Sequence, residues 1–195
     1  MSLPLFLMLS LIFFLRPQSK RKSVTLDTAS HASQIPRPDG LQLNLSSGEK
    51  TLEFGERLGH LLMGGDVLAL TGDLGAGKTL LTRGIALGMG IPADHINSPT
   101  FTLIQAYDGL IPLIHVDLYR LEDPGAIVQL GLEDYFTAKN IVIIEWADRF
   151  IRVLPPDYLD IHLEHGNTET TRDMTLRSTG ARSLAIVSAL RGHTA

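Results

Sequence analysis

One octapeptide carries the clearest chemistry in the chain. Gly72-Asp73-Leu74-Gly75-Ala76-Gly77-Lys78-Thr79 fits G-x-x-x-x-G-K-[ST], the pattern of a phosphate-binding loop. Its glycines let the backbone curl so that successive N–H groups point at phosphate oxygens. A helix starting at about Lys78 would aim its positive dipole end at the same anion. Lys78 is expected to span β- and γ-phosphates, and the Thr79 hydroxyl to coordinate Mg²⁺. Leu80, next in that first turn, joins the eight loop residues as the expected ATP-binding set. Such a loop also needs an acid at the end of a neighbouring strand, and two are available. Asp117 follows the apolar LIHV and Glu145 follows IVII. An acid ending a buried strand in this setting acts as a magnesium ligand or a base.

Other residues carry weaker signals. Trp146, the only tryptophan, reads equally as a packing residue or a site residue. Ser98-Pro99-Thr100 lies where nucleotide switches sense a γ-phosphate, but taken alone it reads as a turn with Phe101 in the core. His115, beside Asp117, reads as a structural histidine in preference to a base. His162 and His165 have poor geometry for a metal site, one on a strand and one in a loop. No Asn-Lys-x-Asp string occurs, which favours ATP over GTP.

These residues need a scaffold, and the hydrophobic pattern supplies one. Ser46-Ser47-Gly48-Glu49 resembles a helix start, and Phe54, Leu58, Leu61 and Leu62 share one helical face up to Gly64-Gly65. Residues 67–71 form a short apolar strand directly before the loop. Residues 78–89 are predicted helical, 102–107 and 110–116 as strands around Asp108-Gly109, and 123–130 as a helix. Residues 141–144 read as a buried strand, 159–163 and 173–177 as alternating edge strands, and 181–190 as a terminal helix. Alternation of this kind predicts an α/β fold, a P-loop three-layer sandwich with a mostly parallel central sheet and helices on both faces.

Composition narrows the classes further. The chain has 195 residues and no cysteine, which excludes disulfides, thiolate metal sites and a cysteine nucleophile. The net charge of −4 combines +4 on residues 1–38 with −8 on residues 39–195. An acidic domain argues against a protein whose main task is gripping nucleic-acid backbone. The first 38 residues read as an extension outside the fold: an apolar run from Leu3 to Leu15, a basic cluster, and a polar linker. The run is short for a membrane span, which needs about 20 residues. It is read as upstream sequence from a misplaced start codon in preference to an anchor or a signal peptide.

GDLGAGKT, SPTFTL, HVDLYRLEDP and IIEWADR, in this order and spacing, resemble the TsaE (formerly YjeE) family over about residues 46–180. The second and third acid-bearing motifs discriminate, since a phosphate loop alone occurs in many NTPases. The family's usual pattern starts near Leu41, and this chain has Ala147 and Asn97 where Pro and Thr are commoner. The resemblance implies a cytoplasmic Mg²⁺-dependent ATPase, slow alone, of the bacterial machinery that makes threonylcarbamoyladenosine in tRNA. It implies TsaB and TsaD as partners, with tRNA contacted only through them. It implies Lys78, Asp117 and Glu145 as catalytic residues, Thr79 and Glu145 on the metal, and Ser98-Pro99-Thr100 as a switch loop. It also implies Thr51 at the adenine pocket, Trp146 near nucleotide or partner, and Arg149 against phosphate charge. A P-loop small-molecule kinase and a nucleotide switch without hydrolysis remain as alternatives.

Overall fold

The computed structural model describes residues 40–192. The apolar run, basic cluster and linker expected before residue 39 lie outside the described residues. Within them a seven-stranded sheet runs in the order β1-β7-β6-β2-β5-β4-β3. Its strands are β1 (Leu41–Leu45), β2 (Val67–Thr71), β3 (Ile104–Tyr107), β4 (Leu113–Asp117), β5 (Ile141–Glu145), β6 (Leu159–His165) and β7 (Arg172–Ser178). The four central strands, β6, β2, β5 and β4, are parallel. β3, β7 and β1 add antiparallel pairings at the two flanks.

β2, β4 and β5 are mostly apolar because both of their faces are covered. Leu68 and Leu70 of β2 share a buried cluster with α1 (Gly48–Gly59), α2 (Lys78–Gly88) and α4 (Ala181–Arg191). Val67 and Ala69 share the opposite cluster with α3 (Pro124–Leu130) and the 3₁₀ segments after β5. This is the expected three-layer sandwich. The same alternation sets the site: with Leu113, Ile141 and Ile143 on the α1/α2 side, His115, Asp117 and Glu145 face that side too.

The structure corrects several expectations. β6 and β7 are interior strands, and the sheet edges are β1 and β3. Leu159, Ile161 and Leu163 are buried under the helices, whereas Asp160 and Glu164 on the other face are less covered. The alternation of β6 therefore records one-sided cover, not an edge. β1 was not foreseen, being five residues long with two polar positions. The first helix ends at Gly59 rather than at Gly64-Gly65. Phe101, expected in the core, is 82% exposed, with the Arg120 guanidinium 4.1 Å over its ring.

Close helix packing explains part of the glycine content. α1 lies directly on α2 through Gly55 and Gly59 against Gly84 and Gly88. A Cβ on Gly84 would strike the Leu52 carbonyl and the Gly55 Cα, and one on Gly59 would strike the Ile85 carbonyl. Glycine costs about 1 kcal/mol in a helix interior relative to alanine. That cost is offset by letting the helix behind the phosphate loop seat deeply against its neighbour. Ser47 starts α1, its hydroxyl accepting from Lys50 N at 3.3 Å.

Candidate functional site

The loop between β2 and α2 curls as its glycines predict. Gly72, Gly75 and Gly77 have φ of +124°, +78° and +105°. Gly72 is doubly constrained, because a Cβ there would also collide with the Leu163 carbonyl of β6. Gly77 is the N-cap of α2, so the helix's first free N–H groups open onto the loop. Backbone of this shape is able to cradle an anion.

Lys78 is 4% exposed. Its ammonium donates to the carbonyls of Gly72 at 2.6 Å and Asp73 at 2.8 Å, and lies 3.8 Å from the Trp146 ring centroid. Burial lowers its pKa below the ordinary lysine value, opposed by the charges of Glu145, Asp117, Asp148 and Asp73. An anion delivered to this loop would favour the charged form and reverse that penalty.

Thr79 and Glu145 meet across the gap between α2 and β5. The Thr79 hydroxyl donates to Glu145 Oε1 at 2.9 Å and lies 3.2 Å from Oε2. Asp117 is the register partner of Glu145 on β4. Its Oδ2 accepts from the hydroxyls of Ser98 at 2.5 Å and Thr100 at 2.7 Å, and its Oδ1 from Tyr119 N at 2.9 Å. Thus the Ser98–Thr100 loop closes on one of the two acids, and its turn reading was incomplete. Leu103 at φ +65° takes the strained conformation of this loop, with its N–H bonded to Pro99 O. Hydroxyl and carboxylate oxygens are hard donors that suit Mg²⁺, which takes one or two protein ligands beside phosphate and water.

Trp146 has φ +62° immediately after β5, which swings its ring back over Lys78. Tyr119 packs on it with centroids 5.0 Å apart. Arg149 lies 5.3 Å over Trp146 and 5.6 Å over Tyr119, and donates to Tyr119 O at 2.7 Å. Arg149 therefore belongs to an aromatic stack beside the loop. Asp73, Leu74 and Gly75 are exposed at the loop tip, Ala76 is buried, and Leu80 Cδ2 lies 3.2 Å from where a Cβ on Gly48 of α1 would sit. Thr51 is fully buried, its hydroxyl donating to Ser47 O at 3.3 Å, so it presents no exposed atom to a ligand.

Two residues without a foreseen role in the site complete it. Arg172 of β7 donates through Nε to Ala76 O at 3.0 Å and through a terminal nitrogen to Gly75 O at 3.2 Å, bracing the loop from outside. It lies 96 residues from Ala76, and no local pattern marks it. His115 is fully buried with Nε2 2.8 Å from Glu145 Oε1. Its spacing of two from Asp117 places both on one strand face, a signal that was available. His162 bonds Thr71 at 2.8 Å through Nδ1, and His165 lies 3.4 Å from Leu74 O.

The order of the motifs on this geometry has a counterpart in known proteins. The family model described as threonylcarbamoyl adenosine biosynthesis protein TsaE matches residues 45–174, from the end of β1 into β7. The chain belongs to the TsaE family. A Bacillus subtilis relative, named tRNA threonylcarbamoyladenosine biosynthesis protein TsaE, is 42% identical over 130 residues, 66% of this chain and 80% of that protein. A Nostoc relative of the same name is 45% identical over 128 residues, 63% of this chain and 77% of that protein. The crystal structure of Bacillus subtilis YdiB matches with a TM-score of 0.68 at 33% identity, covering 80% of this chain and 97% of that one. In this TsaE chain, SPTFTL supplies Ser98 and Thr100, HVDLYR supplies His115, Asp117 and Tyr119, and IIEWADR supplies Glu145, Trp146 and Arg149. Among the described residues no helix is long and apolar enough to cross a membrane.

Proposed function

We propose that residues 39–195 form a Mg²⁺-dependent ATPase that serves tRNA threonylcarbamoyladenosine synthesis in the cytoplasm, in complex with TsaB- and TsaD-like proteins. The observation that carries the reading is the convergence of the curled loop, Lys78, and the Thr79–Glu145 pair at the end of the parallel strands. Family membership supports the biosynthetic role. The −8 charge on residues 39–195 supports contact with tRNA through the partners rather than through this surface.

In this reading the loop N–H groups and the α2 N-terminus bind the phosphates, and Lys78 neutralises charge as it spreads over the transferring phosphoryl group. Thr79 and Glu145 would hold Mg²⁺, which would supply charge neutralisation on the phosphate oxygens. Asp117, held by Ser98, Thr100 and the Tyr119 N–H, orients the attacking water. Water adds to the γ-phosphorus as its bond to the ADP oxygen breaks, and the water's proton leaves to Asp117 or solvent. The Trp146–Tyr119–Arg149 stack walls the site beside Lys78.

The test is ATP binding and turnover, with and without the partner pair. Lys78→Ala should abolish nucleotide binding. Glu145→Ala should reduce hydrolysis far more than binding. Normal turnover in both variants would refute the site, and failure to recover a TsaB–TsaD-like pair from the native host would refute the complex.

A further inference from the structure

His115 is fully buried on β4, on the sheet face that α2 covers. Its Nε2 lies 2.8 Å from Glu145 Oε1, the same oxygen that accepts the Thr79 hydroxyl at 2.9 Å. In the tautomer with its proton on Nε2, the ring donates to this oxygen. The other ring nitrogen, Nδ1, is buried and has no hydrogen-bonding partner among the described residues. Buried polar side-chain atoms are mostly paired, and an exception calls for a reason. Packing alone does not give one, since an apolar side chain of similar volume would fill the space without leaving an unpaired nitrogen. What the ring does supply is a single rigid N–H aimed at Glu145.

We propose that His115 is a positioning residue for Glu145. Glutamate has three rotatable side-chain bonds, and the Thr79 contact constrains its carboxylate from one side only. The His115 N–H holds the same oxygen from the neighbouring strand. Together the two donors fix the carboxylate next to the Thr79 hydroxyl, where the two side chains would hold the Mg²⁺ that accompanies a bound nucleotide. His115 itself touches neither phosphate nor metal. The inference rests on the nucleotide function proposed above and extends it to the metal dependence of that site. Supporting partners of metal ligands commonly alter metal affinity by roughly 10–100-fold when removed.

The test uses the full chain and a readout independent of turnover. Trp146 is the only tryptophan, and the Lys78 ammonium lies 3.8 Å from its ring, so its emission reports on the site. Mg²⁺ is titrated into protein and ATP while that emission is followed. His115→Leu should raise the Mg²⁺ midpoint by roughly tenfold or more, while ATP affinity in the absence of Mg²⁺ stays unchanged. His115→Gln puts an amide N–H near the Nε2 position and should recover most of the shift. An unmoved midpoint in a folded His115→Leu protein overturns the role, and so does an equal loss in both variants, which would tie the effect to ring shape. If His115→Leu does not fold, the ¹⁵N resonance of Nε2 in the wild type, assigned by its loss in His115→Gln, replaces it. Movement when Mg²⁺ joins ATP supports the role, and a fixed resonance overturns it. Absence of any ATP-dependent Trp146 signal in the wild type would instead overturn the nucleotide reading, and the role of His115 with it.

Discussion

Arg172→Ala isolates how much of the phosphate cradle is made outside its own sequence motif. The guanidinium binds Ala76 O and Gly75 O on the loop, and Glu169 O and Thr171 O, each at 2.7 Å, on its own hairpin. Holding the carbonyls of residues 75 and 76 fixes the turn in which the Ala76 N–H donates to Asp73 O at 3.2 Å, and so the shape of the curled loop. A hydrogen bond to a charged group contributes about 1.5–3 kcal/mol when buried, and Arg172 is only part-buried, so water replaces some of it. The two loop bonds together should then contribute about 1–2 kcal/mol to the bound conformation, or about 5–30-fold in ATP affinity. Calorimetric titration of ATP into wild type and variant measures this directly. Arg172→Lys should fall between them, because a single ammonium on a flexible stem does not reproduce the planar fork. Unchanged ATP affinity in a folded Arg172→Ala protein would refute the bracing argument. A fall in Tm with unchanged affinity would show that the contacts serve the hairpin alone.

Two further predictions concern stability. Gly84→Ala puts a methyl group against the Leu52 carbonyl and Gly55 Cα, and should destabilise by about 1–3 kcal/mol as overpacking does, read as a lower Tm with the far-UV spectrum retained. Asp160 is held above the ordinary carboxylate value by burial, with Arg177 and His162 pulling the other way. A raised folded-state pKa favours the fold below the unfolded value and loses that advantage as pH rises through the folded one. Asp160→Asn should therefore raise stability at neutral pH and flatten the denaturation midpoint across the acid range, and an unchanged midpoint profile would contradict this.

The parts of the site that were legible in the sequence are local ones. Glycine at 72, 75 and 77, followed by Lys78 and Thr79, prescribes a curled loop at a helix start, because backbone torsion and helix polarity act over a few residues. The acids at 117 and 145 were legible for a similar reason: each ends a short apolar run, and a buried strand delivers its terminal residue to the sheet's carboxyl edge. Phe101 was misjudged because hydrophobicity says how a side chain partitions but not whether a loop has anything to pack against.

The sequence by itself determined the curled glycine loop, the α/β class, the acidity of residues 39–195 and the motif order that marks the TsaE family. Tertiary structure alone decided which acid meets Thr79, that β6 is central, that Arg172 braces a loop 96 residues away, and that His115 backs Glu145. The reason is physical. Local features follow from torsional preference and periodicity along the chain. Contacts across strands depend on register and on which face a helix covers, and those are set only when the whole sheet is assembled.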